Sequence, residues 1–126
     1  MVLSGETKPL HPYWYARVLG IYHMDVWINV GGPIRKQEIE VLYVRWLAPL
    51  NDHQSGLHCA RLPKLAFVDD SDRDAFGFLD PSQVIRSVHL IPAFSCDRGT
   101  SSLRHGKSFG RQGGELDDWE AYYVGV

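Results

Sequence analysis

Glu38-Ile39-Glu40-Val41-Leu42-Tyr43-Val44-Arg45-Trp46-Leu47 is the stretch on which the fold turns. β-Branched and aromatic residues dominate it, no glycine or proline interrupts it, and Pro49 follows closely. Such residues fit a pleated, half-buried backbone. Side chains on a strand alternate between its two faces. Ile39, Val41, Tyr43 and Arg45 therefore share one face, and Glu40, Leu42, Val44 and Trp46 share the other. Both faces are partly apolar, which predicts a central strand covered on both sides for part of its length.

Working outward, Tyr13 to His23 is a strand by the same criterion, and Gly20 inside it marks a bulge or a close backbone approach. Asp25 to Val30 reads as a further short strand, ended by the turn signal Gly31-Gly32-Pro33. Downstream of Pro49, residues 48–64 show little periodicity and read as a loop. Leu65-Ala66-Phe67-Val68 is a short apolar run, and an acidic turn spans Asp69 to Asp74. Asp80-Pro81-Ser82-Gln83 offers an N-cap residue and a proline at the first helical position. The β-branched residues that follow limit this helix to about one turn. Arg86 to Phe94 returns to strand. A train of short strands with one helical turn predicts a mainly β protein, a small barrel.

The 126 residues suit one domain. Residues 1–12 read as an extended lead-in, because Pro9 and Pro12 oppose a helix. Residues 13–96 read as the barrel, and 97–118, rich in Gly, Ser and Arg, as a long flexible loop. Residues 119–126 read as a final strand, truncated because it stops with the chain. A net charge of −2 gives no global drive toward nucleic acid or an anionic membrane. Cys59 and Cys96 read as reduced thiols rather than a disulfide framework. There is no apolar leader and no run near the roughly 18 residues a spanning helix needs. The expected location is the nucleus or cytoplasm, with no secretion and no membrane partner.

Chemistry-bearing motifs are sparse. Asp70, Asp72 and Asp74 match the first three ligand positions of an EF-hand loop, but Ala75 stands where glycine is needed and Pro81 where the bidentate glutamate is needed. They read as a solvated turn. His53, His58 and Cys59 share a loop without a paired zinc-ligand spacing. No nucleophile elbow and no phosphate loop is present. No enzyme activity, metal or cofactor is therefore expected. Two binding chemistries remain. Tyr13, Tyr15 and Trp46 are candidate walls of an aromatic cage, which would hold methyl-lysine by cation–π attraction. Arg98, Arg104, Lys107 and Arg111 form a basic stretch that would contact nucleic-acid phosphates. The acidic block Glu115, Asp117, Asp118 and Glu120 neutralises that stretch in the competing reading.

Pro12 to Ile21, then Val41 to Leu47, then Phe78-Leu79-Asp80 leading into Val84-Ile85 and Ile91, resembles the strand pattern of a bromo-adjacent homology (BAH) domain. That resemblance implies an SH3-like or BAH-like small barrel. His11 to Leu47 and Asp69 to Phe94 also resemble a C-terminal region of large proteins encoded by fungal DNA transposons of the Plavaka type. Asp74 to Pro81 and His89 to Phe94 carry most of this second likeness, which covers most of residues 11–126. It implies a transposon-related origin and a nuclear setting, with the transposase core in another part of those proteins. The expected function is a non-enzymatic module binding a protein or chromatin peptide, or else a non-functional fragment. The alternative is a nucleic-acid-binding accessory domain using the basic loop 98–111.

Overall fold

Two long strands carry the molecule. In the computed structural model, which describes residues 1–4, 12–50, 61–96, 98–99 and 118–125, β1 is Val2–Leu3, β2 is Tyr13–Ile28 and β3 is Arg35–Pro49. β2 and β3 form an antiparallel hairpin paired from Tyr15–Leu47 out to Ile28–Arg35. The runs 13–23 and 25–30 are thus one strand. Alternation persists through Tyr22, His23, Met24, Asp25 and Val26, and no breaker intervenes. The turn falls at the expected glycines, where Gly31 has a φ of 64°, a conformation that glycine enters without steric cost.

Gly20 sits at the expected bulge. Val18 pairs with Val44 but Gly20 pairs with Tyr43, so Leu19 is the extra residue. One inserted residue exchanges the faces of everything beyond it. Trp14, Ala16 and Val18 therefore share a face with Ile21, His23, Asp25 and Trp27, whereas Tyr13, Tyr15 and Arg17 share theirs with Tyr22, Met24, Val26 and Ile28. A side chain on Gly20 would begin 2.9 Å from the Tyr22 ring, which occupies that space.

The remaining strands are β4 (Lys64–Phe67), β5 (Phe76–Leu79), β6 (His89–Pro92), β7 (Arg98–Gly99), β8 (Asp118–Trp119) and β9 (Tyr122–Gly125). Among the described residues, β1 to β6 and β9 form one curled antiparallel sheet of seven strands in the order β1-β2-β3-β4-β9-β6, with β5 paired to β3 beside β4. The result is a mainly β half-barrel. β3 is central as expected. Its neighbours Val44 and Arg45 point to opposite faces, and both are 0% exposed. The inner face holds the core of Tyr15, Leu47, Leu65, Tyr122 and Val124.

Several boundaries differ from the sequence reading. Val2–Leu3 pairs with Tyr13 and Trp14 instead of trailing as lead-in, because Val2 buries its side chain. β5 falls between the acidic turn and the helical turn, where no strand was expected. β6 is shorter than Arg86 to Phe94. β9 lies between β4 and β6, in the interior of the sheet. Most of the expected loop 97–118 lies outside the described residues; its ends pair, Arg98 with Trp119 and Gly99 with Asp118.

Candidate functional site

On the outer face of the hairpin, cross-strand pairing sets Ala16 beside Trp46 and Val18 beside Val44. Trp14 lies on the same face, and its ring meets that of Trp46 edge to face, with centroids 5.8 Å apart and planes at 75°. Such edge-on packing suits the charge distribution of aromatic rings. On the far side of β3, Leu42 pairs with Leu79 and Val44 with Gly77. A Cβ at Gly77 would lie 2.9 Å from Trp46 Nε1, so glycine is what lets the indole lie across β5.

The segment after β5 closes over these residues. It starts with a short 3-10 helix, Pro81–Gln83, capped by Asp80, whose Oδ1 accepts the Ser82 N–H at 2.8 Å. Hydrogen bonds from Ser82, hydroxyl first and N–H second, hold the Asp80 carboxyl below its ordinary pKa. The chain then runs extended, and the Ile85 N–H donates to the Met1 carbonyl at 3.0 Å. Val84 and Val88 complete a cavity of about 220 Å³ with Trp14, Trp46, Leu42 and Leu79. Its lining is apolar except for Arg86 and Ser87, and no carboxylate is among the described residues that line it. Trp14 is 39% exposed.

The three expected cage residues do not converge. Tyr15 pairs with Leu47 and is 2% exposed in the inner core, and Tyr13 packs against that core. Trp46 pairs with Ala16 and faces the opposite way. Burial pushes the Tyr15 phenol pKa up, the nearby Tyr13 adds to this, and Arg86 opposes it. Trp46 does line an aromatic pocket, but its companion is Trp14. Strand alternation allowed that pairing, but only the cross-strand register decides it.

Of the basic stretch, Arg98 stands in β7, while Arg104, Lys107 and Arg111 lie outside the described residues. The same holds for His53, His58 and Cys59. Asp70, Asp72 and Asp74 are exposed, and Asp72 Oδ1 accepts the Asp74 N–H at 2.9 Å, an ordinary turn contact. Among the described residues, no three His, Cys, Asp or Glu side chains gather to hold a metal, and no helix is long and apolar enough to cross a membrane. Comparison of the chain with protein-family models, with curated proteins and with solved structures found no match to any of them.

Proposed function

We propose that this chain is a non-enzymatic protein-binding module that takes one apolar side chain of its partner into the Trp14–Trp46 pocket. The observation that carries this reading is the cavity of about 220 Å³ itself, walled by two indoles and aliphatic side chains. Its volume falls below the roughly 300–1,000 Å³ of pockets that enclose whole small molecules. It suits a single leucine, phenylalanine or tryptophan side chain, the kind of anchor on which protein interfaces depend. Arg86 at the lining, with no carboxylate among the described residues that line it, disfavours a methylated lysine there. A chromatin setting and a transposon-related origin belong to this proposal through the sequence resemblance.

The test is an NMR titration with N-acetyl amides of leucine, tryptophan and trimethyl-lysine, read at the indole N–H signals of Trp14 and Trp46. The leucine and tryptophan compounds are expected to shift both signals, and trimethyl-lysine to leave them in place. Gly77→Val, which drives a side chain into Trp46, is expected to abolish the shifts while the inner-core signals persist. Indole signals that ignore all three compounds would remove the reading.

A further inference from the structure

Beyond Ile21 and Leu42 the hairpin continues as a two-stranded arm, and four of the apolar side chains on β2 from Ile21 outward are exposed. Ile21, Tyr22, Met24 and Trp27 are 49%, 50%, 41% and 69% exposed. Among the described residues, no strand pairs with the outward edge of β2 from Ile21 to Ile28, since β1 reaches only Tyr13 and Trp14. Such an edge presents a row of unpaired backbone N–H and C=O groups, a template for another strand. Edges that avoid pairing carry charged side chains, lysine above all, or proline. The outward edge of β3 does so, with Arg35, Lys36, Glu38 and Glu40 within its first six residues. From Ile21 to Ile28 the β2 edge has no lysine, arginine or proline, and Asp25 is its one carboxylate, with His23 beside it.

We propose that the β2 edge pairs antiparallel with the same edge of a second copy, about a two-fold axis through Met24. The argument is charge and apolar complementarity in register. A two-fold interface presents the same patch on both sides, so each contact occurs twice. Centred on Met24, Ile21 stands opposite the second copy's Trp27, Tyr22 opposite its Val26, and His23 opposite its Asp25. Apolar meets apolar at every position, and the imidazole meets a carboxylate. Shifting the axis by one residue destroys this match. Centred on His23, the two histidines meet and Ile21 faces Asp25. Centred on Asp25, two carboxylates meet. The β3 edge has no equivalent register: centred on Gln37, it sets Arg35 against Ile39 and Ile34 against Glu40. The part of β2 beyond the bulge runs from Ile21 to Ile28, so an axis at Met24 uses nearly all of it.

Within one chain, His23 Nδ1 already lies 3.2 Å from Glu40 and 3.9 Å from Glu38, and Lys36 Nζ lies 2.8 Å from Asp25. These contacts hold His23 and Asp25 on the outer face of the arm, where the second copy's Asp25 and His23 arrive. Dimerisation joins the two arms into a four-stranded ribbon with one continuous apolar face of Tyr22, Met24, Val26 and Ile28.

Sedimentation equilibrium of the full chain over a range of concentrations tests the proposal. The expected result is a reversible monomer–dimer equilibrium. Met24→Lys sets two ammonium groups face to face at the axis and is expected to weaken dimerisation by roughly a hundredfold. Gln37→Lys, on the other edge, is expected to leave it unchanged. Independently of the folding of Met24→Lys, a Met24→Cys variant is expected to form an inter-chain disulfide on mild oxidation, above the wild-type background from Cys59 and Cys96. Residues facing across a two-fold between antiparallel strands have Cα atoms about 4.5–5.5 Å apart, within disulfide reach. Val26→Cys, which faces Tyr22 instead of itself, is expected to cross-link poorly. A chain that stays monomeric at every concentration overturns the proposal. So does dimerisation that Gln37→Lys abolishes and Met24→Lys does not, or equal cross-linking at positions 24 and 26.

Discussion

Arg17 and Arg45 stand directly opposite each other in the β2–β3 register, on the inner face. Like charges in that position repel, and Arg45 is fully buried. The surroundings explain why both are tolerated. Arg45 Nη1 donates to the Ala75 carbonyl at 3.1 Å and Nη2 to the Val68 carbonyl. Its guanidinium lies 4.7 Å from the Phe76 ring centroid and 5.4 Å from that of Phe67. Arg17 lies 5.0 Å from the same Phe67 ring and 5.3 Å from Tyr122. The Phe67 ring is thus shared by the two cations, and its π-face attracts both. The planar fork of Arg45 ties together the two ends of the 68–75 loop between β4 and β5, a fixed spacing of donors that the shorter, compact ammonium of lysine does not offer. A buried charge stripped of its hydrogen bonds costs more than the removal of charge and bonds together. Arg45→Lys is therefore expected to lose about 3 kcal/mol of stability and Arg45→Met about 1–2 kcal/mol. Urea midpoints of the two variants check the order. A methionine variant less stable than the lysine variant would mean that the positive charge itself is required at this position.

The turn before β5 and the 3-10 helix after it are both organised by aspartates. Ser71 donates to Asp69 and Ser82 to Asp80, hydroxyl first and backbone N–H second, and both carboxyls are held below their ordinary pKa. A carboxyl with a lower pKa in the folded chain binds fewer protons there than in the unfolded chain. It contributes stability above the unfolded value of about 3.9, and that contribution fades as the pH falls through the lowered folded value. Asparagine caps as well as aspartate but carries no charge. The double variant Asp69→Asn with Asp80→Asn is therefore expected to be less stable than wild type at neutral pH and to converge with it below about pH 4. Thermal unfolding across that range checks this, and a gap that widens on acidification would contradict it. The helix was legible in the sequence because capping is a local matter, written in Asp80 and Pro81. β2 and β3 were legible because alternation is local too. β5 was not: four residues with a glycine in the middle make too short a pattern, and Phe76–Leu79 is a strand because β3 offers it an edge. The pocket failed to show for a related reason. Trp46 was visible as a binding wall, but its partner depends on whether Trp46 sits opposite Ala16 or Tyr15, a register set by tertiary packing.

At the scale of the whole molecule, the buried apolar residues divide the chain into a body and an arm. Val2, Tyr15, Val44, Leu47, Leu65, Ala75, Ala93, Ala121, Tyr122 and Val124 are the core, and none falls between residues 21 and 41. The arm contributes backbone pairing and surface ion pairs, and exposed ion pairs add little to stability. A two-stranded ribbon on its own is marginal in water, so this one leans on the body, and the body has little need of it. Replacing residues 23–40 with Asn-Gly, a dipeptide that closes two-residue hairpins, joins Tyr22 to Val41 across an existing cross-strand pair. The shortened chain is expected to unfold cooperatively, with monomer stability within about 1 kcal/mol of the parent. Trp14, Trp46 and Gly77 remain in it, so the pocket is expected to bind as before, whereas the self-association assigned to Met24 is expected to vanish. Denaturant titration, the indole N–H titration and sedimentation read these three properties separately. Loss of cooperative unfolding would show that the arm is part of the folding unit. Retained self-association would move the dimer contact into the body, away from the β2 edge of the arm.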